Sequence, residues 1–247
     1  MPKHLPVSPK PARDRSVFIN CPFDAEYKPL LRAACFTILT CGYVPRCALD
    51  YNDSGEIRLT EIIKMIARSD LSIRDISRVE VDKGSGLPGF NMPLELGADL
   101  GLRLQGPARQ RRRKTLILDT VRHRYDKVLS DISGMDIEAH GNNVTQIARR
   151  VRDWLNANRM PGSVILPGAA AIDGDHQAYL RIAPDIVKSL RLDPHDDLPH
   201  GDYLDVVKIA LPRIEAARAA TEGSKSVRLA TPNPSRRSHA LNRPPTS

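Results

Sequence analysis

The stretch SVFINCPFD, residues 16–24, decides the fold, because a short apolar run in it leads directly into a sharp turn. Its first five residues are bounded by charge on one side and by Pro22 on the other, which is typical of a buried strand. Apolar side chains then recur at helical spacing over residues 26–40, and Gly42 predicts the end of that helix. A buried strand followed by an amphipathic helix indicates the first unit of an α/β domain.

The same alternation of strands and helices continues to about residue 158. Short apolar runs predict four further strands, at residues 43–49, 71–76, 114–119 and 136–140. Amphipathic spacing predicts three further helices, at residues 57–66, 91–104 and 144–155. The connections include a Gly- and Pro-rich loop at 79–90 and a basic loop at 105–113. Buried strands separated by helices predict an α/β fold whose parallel sheet carries helices on both faces.

The rest of the chain divides into segments of different character. Residues 16–160 form the predicted α/β domain, and residues 161–222 are predicted to be a helical appendage with helices at 179–190 and 203–220. Residues 1–15 are basic and rich in Pro, and residues 223–247 lack periodicity, so both termini are predicted to be disordered.

The basic character of the chain is concentrated in its two termini. Four basic side chains and one acid precede residue 16, and five basic side chains and no acid follow residue 223. These segments account for the whole net charge of +8, so the sequence between them is neutral overall. Basic tails of this kind are usually solvated, which leaves open a weak, salt-sensitive contact with nucleic acid.

The sequence indicates no membrane span, secretion signal or metal site. No stretch approaches the ~20 consecutive apolar residues of a membrane helix, and residues 1–15 lack the apolar region of a signal peptide. The four cysteines form no C-x-x-C pair, and neither they nor the histidines cluster at metal-ligand spacing. We therefore predict a cytoplasmic protein with reduced, mostly buried thiols and no metal.

Polar residues that could form a pocket occur where predicted strands end and where the third long helix begins. Parallel sheets bind ligands at the carboxyl ends of their strands, near the point where the strand order reverses. The candidate binding residues at these places are Asn20, Pro22, Phe23, Asp75, Ser77, Arg78 and Asn91.

Glu95 is the candidate catalytic residue. Asn91 is a typical N-cap and Pro93 suits a first helical turn, which places Glu95 close to free backbone N–H groups that favour its ionised form. A carboxylate in such a pocket can stabilise an oxocarbenium-like ribosyl centre or attack it, and so cleave an N-glycosidic bond. Gly97 costs about 1 kcal/mol relative to alanine inside a helix unless a ligand or strand approaches closely.

Each of these residues also has an ordinary structural interpretation. Acids are enriched in first helical turns, so Glu95 could simply support the helix dipole. Asp75 could be a loop hydrogen-bonder, and the residues after the first strand could form an exit turn. Arg78 could bind phosphate or pair with an acid.

Three segments together resemble the group that contains nucleoside 2-deoxyribosyltransferase-like and TIR domains. They are VFINCPFD, DISRVE and LPGFNMPLELGADLGL, and the resemblance extends over residues 16–158. It implies a flavodoxin-like sheet, Glu95 as the nucleophilic or ribose-contacting carboxylate, and Asp75 as a residue that binds the sugar or positions the base. The transferases carry a Ser/Gly-Thr run before the glutamate, and residues 90–94 lack it, which disfavours 2-deoxyribosyl transfer.

The resemblance also implies a function. Members of the group act on nucleosides, nucleotides or NAD, and bacterial TIR proteins often act in phage defence by depleting or converting NAD. We therefore expect an N-ribosyl hydrolase or cyclase that uses NAD or a related nucleotide as substrate and requires no cofactor. Two alternatives stay open: a non-catalytic nucleotide-sensing or protein-interaction module, and a deoxyribosyltransferase-like enzyme. A homo-oligomer and a partner protein on the appendage also stay open.

Overall fold

The computed structural model describes residues 15–51, 55–79, 86, 89–127, 129–160 and 162–230, with side chains as far as residue 221. Within these ranges the strands form one all-parallel sheet in the order β2-β1-β3-β4-β5. The strands are β1 (Ser16–Asn20), β2 (Val44–Cys47), β3 (Leu71–Asp75), β4 (Lys114–Asp119) and β5 (Glu138–Ala139). This strand order is that of flavodoxin-like folds, which confirms the predicted fold class.

Helices connect the strands and continue beyond the last of them. They are α1 (Lys28–Thr40), α2 (Arg58–Arg68), α3 (Asn91–Gln105), α4 (Ala108–Arg111), α5 (Val144–Ala157), α6 (Ala169–Leu190) and α7 (His200–Ala230). Short 3-10 turns lie at Ala48–Asp50, Tyr125–Lys127, Ser130–Ile132 and His195–Asp197. None of the helices in the described ranges has the length and apolar composition needed to cross a bilayer.

Strand β1 shows how the sheet is buried on both faces. Its side chains alternate, so Val17 and Ile19 join the cluster formed with α1 and α5, whereas Phe18 packs with Ile62 and Ile66 of α2. All five residues of β1 are buried. The sheet therefore lies between a layer of α1 and α5 and a layer of α2 and α3.

Helices α6 and α7 form an outer layer on α1 and α5. Apolar side chains of both helices belong to the same hydrophobic cluster as α1, and the Tyr203 hydroxyl donates to the backbone carbonyl of Arg32 at 2.9 Å. The Tyr179 ring packs against Phe36 of α1 with 5.4 Å between centroids. The segment predicted as an appendage is thus continuous with the core of the sheet.

Both outer helices are longer than the sequence pattern indicates. Helix α6 begins at Ala169, ten residues before the predicted start, because a run of alanines favours helix without an apolar stripe. Helix α7 continues to Ala230, into the segment predicted to be disordered, and residues 231–247 lie outside the described chain.

The segment predicted as a basic loop, residues 105–113, contains the short helix α4 and anchors the end of α2. The Arg113 guanidinium is buried and donates to the carbonyls of Ile66 at 2.5 Å and Ser69 at 2.9 Å. Gln110 accepts from Arg113 at 2.9 Å. Part of this basic segment therefore satisfies the free carbonyl groups at a helix end instead of facing solvent.

A buried ionic network lies between β3 and α3. Asp99 is fully buried and accepts from Ser72 at 2.6 Å and from Nε of Arg74 at 3.1 Å, and Nε of Arg113 lies 2.7 Å from its other oxygen. The Thr115 hydroxyl donates to the same carboxylate at 3.2 Å. Removing one member of a buried pair leaves an uncompensated charge, so this network fixes α3 on the sheet.

We expect Asp99→Asn to lower the free energy of unfolding by roughly 3–5 kcal/mol, because two buried guanidinium groups lose their shared counter-ion. Urea denaturation followed by circular dichroism measures the change. Asp70→Asn is the matched control: Asp70 pairs with Arg109 at 3.0 Å on the surface, and its loss should cost under ~1 kcal/mol. Equal losses for the two variants would contradict a special role for the buried network.

Candidate functional site

The strand order reverses between β1 and β3, and this switch point defines the candidate site. From β1 the chain continues to β2 on one side of the sheet, and β3 then pairs with the other side of β1. Asn20, the last residue of β1, is buried and lies opposite Arg74 in the parallel register. Loops that leave adjacent strands in different directions open a crevice at their carboxyl ends, where ligands of such sheets bind.

Asp75, at the end of β3, is the best-connected polar residue of this edge. Its buried carboxylate accepts from the Tyr27 hydroxyl at 2.6 Å and from the backbone N–H of Ser77 at 2.9 Å. Nε2 of His140 lies 3.1 Å from it. The backbone N–H of Asn142 donates to Nδ1 of His140 at 3.1 Å, which places the imidazole proton on Nε2, facing Asp75.

This arrangement makes Asp75 a group that positions others. Burial, together with the nearby Asp75 charge, holds the pKa of Tyr27 well above its usual range, so the hydroxyl remains a donor. Tyr27 near the start of α1 and His140 after β5 are thereby tied to the end of β3. The sequence pattern missed both residues, although the position of His140 directly after a short strand is a signal that strand-end reasoning could have used.

A second buried carboxylate holds the loop after β3 in place. Arg124 pairs with Asp119 at the end of β4, where its Nε lies 3.0 Å from the carboxylate. The same guanidinium donates to the carbonyls of Ser77 at 2.7 Å and Ile76 at 3.3 Å. Residues 76 and 77, and with them the floor of the crevice, are therefore fixed by backbone contacts.

The start of α3 differs from the predicted cap. Asn91 is the first residue of the helix, the N-cap position is Phe90, and no side chain caps it. Glu95 consequently lies beyond the first turn, which contains no acid. The predicted stabilisation of ionised Glu95 by the helix terminus is therefore corrected, because the dipole effect is confined to the first turn.

Burial, and not the helix terminus, dominates the ionisation of Glu95. The side chain lies among the buried residues of α3, and this desolvation raises its pKa above the usual value for glutamate, against the opposing charges of Arg74 and Arg58. The interaction is mutual, since burial lowers the pKa of Arg74 while Asp99 and Glu95 raise it. Ionised Glu95 would neutralise the excess positive charge that Arg74, Arg113 and Asp99 leave in this layer.

Several polar atoms around the site have no hydrogen-bond partner within the described part of the chain. They are Oε2 of Glu95, Nη1 and Nη2 of Arg74 and Oγ of Ser77, all buried. A buried polar atom left without a partner typically costs about 1–3 kcal/mol. Such groups concentrated at a sheet edge that is suited to ligands indicate a site whose hydrogen bonds are completed by something else.

The remaining predicted residues lie around this edge in different environments. Pro22 is buried, and Phe23 packs against the hydrophobic clusters of both faces. Arg78 pairs at the surface with Asp24 at 3.3 Å and with Glu26 at 2.8 Å, and so joins the loops after β3 and β1. Asn91 is exposed.

Two further observations limit the site. Asp75 contacts Tyr27 and His140 on the α1 and α5 side, whereas Glu95 interacts with Arg74 on the α3 side, and no hydrogen bond between described residues joins the two carboxylates. A Cβ added at Gly97 would meet no described atom within 4 Å, so the predicted close approach there is not found.

A cavity of about 590 Å³ lies elsewhere, between α6 and α7. Its lining includes Ala178, Ile182, Arg213 and Ile214, and none of its lining residues belongs to a strand or a strand-end loop. It is therefore separate from the candidate site at the switch point.

Comparisons of the chain with protein-family models, with curated proteins and with solved structures gave no match.

We expect Glu95→Gln to become more stable relative to the wild type as the pH rises from about 4 to 8. A folded-state pKa above the unfolded value of about 4.3 favours folding while the group is protonated, and this contribution is lost as the pH rises through the folded-state pKa. Glutamine avoids the cost of the buried charge. Melting temperatures at a series of pH values measure the difference.

Glu61→Gln is the control for that series. Glu61 lies on the neighbouring helix α2 and pairs at its surface with Lys64, so its replacement should not improve stability at pH 8. If Glu95→Gln loses stability as the pH rises, burial does not govern the ionisation of Glu95.

Proposed function

We propose that the protein cleaves the N-glycosidic bond of NAD or a related nucleotide, with the Glu95 carboxylate beside the developing ribosyl cation. The observation that carries this proposal is a buried carboxylate oxygen of Glu95 without a hydrogen-bond partner among the described residues, next to the switch point of a flavodoxin-like sheet. Natural proteins keep such unsatisfied groups mainly where function requires them.

The chemistry needs an anion and a pocket that excludes water. When the C1′–N bond of NAD breaks, its electron pair goes to the positively charged nicotinamide ring, which leaves as a neutral molecule. The ribosyl centre then carries positive charge, which the Glu95 carboxylate stabilises or attacks. Water adds to C1′ and gives up its proton in hydrolysis, whereas a nitrogen of the same nucleotide adds to C1′ in cyclisation.

Other residues of the edge would bind and orient the nucleotide. Asn20 and Ser77 lie at the ends of the two strands that flank the switch point, and the Ser77 hydroxyl is without a partner among the described residues. Arg78 is held near the surface by two acids, and phosphate oxygens could replace them in a charge-assisted, bidentate contact. Asp75 would hold Tyr27, His140 and the loop in position and would not react itself.

The resemblance to bacterial TIR proteins supports the same proposal and suggests its setting. Depletion or conversion of NAD during phage infection would be the biological use of this reaction. A cell that loses NAD stops supporting phage growth, so such an activity would have to be held inactive until it is triggered. The assay for activity therefore includes conditions that promote oligomers.

The proposal predicts that Glu95→Gln releases nicotinamide from NAD at a rate ~10²–10³-fold below that of the wild type, because an anion in contact with the transition state is lost. Release is followed by chromatography, with and without a crowding agent that promotes oligomers. Glu61→Gln, which changes a surface glutamate of α2, should retain wild-type activity.

The pH dependence provides an independent measure of the same group. The active form of Glu95 is ionised and its pKa is raised by burial, so the rate should increase with pH along a limb that lies above the usual range of glutamate. That limb should be absent from any residual activity of Glu95→Gln. Equal activity of the two proteins under all conditions would contradict the proposal.

A non-catalytic nucleotide-binding module is the second candidate, and the contact between Glu95 and Arg74 favours it. There the carboxylate would serve chiefly as a counter-ion for Arg74. Calorimetry that shows saturable NAD binding without nicotinamide release would support this candidate over the enzyme. Release of base from a 2′-deoxynucleoside, but not from NAD, would instead support a deoxyribosyltransferase-like enzyme.

A further inference from the structure

Three potential metal ligands converge where β2 ends and α7 begins. Cys47 is the last residue of β2, Asp50 ends the 3-10 turn that follows, and His200 is the first residue of α7. Sγ of Cys47 lies 3.3 Å from Nε2 of His200, and Oδ1 of Asp50 lies 3.6 Å from the same nitrogen. The three ligand atoms all lie within 4.8 Å of one another.

These separations are those of a tetrahedral zinc site. With Zn–S of about 2.3 Å and Zn–N and Zn–O of about 2.05 Å, tetrahedral angles place sulfur about 3.5 Å from nitrogen and nitrogen about 3.3 Å from oxygen. The observed 3.3 and 3.6 Å lie within a few tenths of an ångström of those values. Only small side-chain shifts would be needed to bring all three atoms to bonding distance of one ion.

The arrangement differs from that of a nucleophilic catalytic triad. In such a triad the nucleophile and the carboxylate contact opposite nitrogens of the imidazole ring. Here Cys47 and Asp50 both approach Nε2 of His200. Convergence of three different donor atoms on one region of space is what a metal ion requires and what a proton relay does not.

The local backbone holds these ligands in place. The backbone N–H of Cys47 donates to Oδ2 of Asp50 at 3.1 Å, which leaves Oδ1 directed towards His200. The Cys47 side chain in turn accepts from the backbone N–H of Asp50. Hydrogen bonds to ligand atoms of this kind orient metal ligands and tune their basicity. The sulfur is buried, whereas the side chain of Asp50 is 19% exposed, so the open side of the site is the carboxylate side.

We propose that Cys47, Asp50 and His200 form a binding site for a divalent transition metal of the zinc class, with the fourth position open to water. A thiolate, an imidazole and a carboxylate are the three ligand types that zinc takes from proteins, and three protein ligands plus water is a common coordination. On binding, the thiol proton of Cys47 passes to solvent and sulfur coordinates as thiolate.

The site would link two distant parts of the chain. Cys47 and His200 are 153 residues apart, and they connect the edge of the sheet to the first turn of the outermost helix. A cross-link that closes so long a loop restricts the unfolded chain more than a short one does. Metal binding would therefore stabilise the docking of the outer helical layer on the sheet.

Cobalt titration of the chelator-treated full-length protein tests the proposal. We expect one equivalent of Co²⁺ to bind with a sulfur-to-metal charge-transfer band and the visible bands of a tetrahedral ion, and Zn²⁺ to displace it. The charge-transfer band should be absent from Cys47→Ser, and affinity should fall at least tenfold in His200→Gln and Asp50→Asn. Zn²⁺ should raise the melting temperature of the wild type only.

Matched controls separate this site from adventitious binding. Cys41→Ser changes another buried thiol, and His123→Gln changes an exposed histidine, so both should bind Co²⁺ like the wild type. The absence of saturable Co²⁺ binding, or a charge-transfer band that persists in Cys47→Ser, would overturn the proposal. If Cys47→Ser does not fold, Asp50→Asn decides, because its partly exposed carboxylate can be replaced without opening the core.

Discussion

The ionic contact between Arg74 and Asp99 is the constraint on which the rest of the molecule depends. It places a charged side chain in the middle strand of a parallel sheet, where purely apolar residues are the norm, and then requires α3 to supply the counter-ion. Because α3 carries both Asp99 and Glu95, the helix that neutralises the buried arginine also places a second carboxylate beside it. The position of the candidate site thus follows from electrostatic balance within the fold.

The two carboxylates near the switch point have divided tasks. Asp75 is surrounded by donors on the side of α1 and α5 and serves to join four separate segments of the chain. Glu95 lies on the opposite side of β3, poorly hydrated and incompletely hydrogen-bonded, and burial raises its pKa. A fully satisfied group contributes rigidity, whereas an unsatisfied one retains the capacity to interact, and sites that bind or react need both.

Apolar periodicity was sufficient to predict the α/β class, all five strands and the helices that cover them, because alternation between periods of two and 3.6 residues directly reports burial. It could not reveal that Arg74 and Asp99 are interior residues, since charged residues in a strand or helix ordinarily indicate solvent. Strand-end reasoning placed Asn20, Asp75 and Ser77 correctly at one edge of the sheet. The convergence of Cys47 with His200 depends on how α7 returns to the sheet, which no local spacing encodes.

The position of α1 between the sheet and the outer helices has a consequence for synthesis on the ribosome. Nearly every residue of its central turns is buried, on one side by the sheet and on the other by α6 and α7. The outward face of α1, including Phe36, is covered only after residues 179–214 have been made. At ~5–20 residues per second that delay is roughly ten to thirty seconds, during which a nascent chain exposes an apolar helix face to chaperones and to other nascent chains.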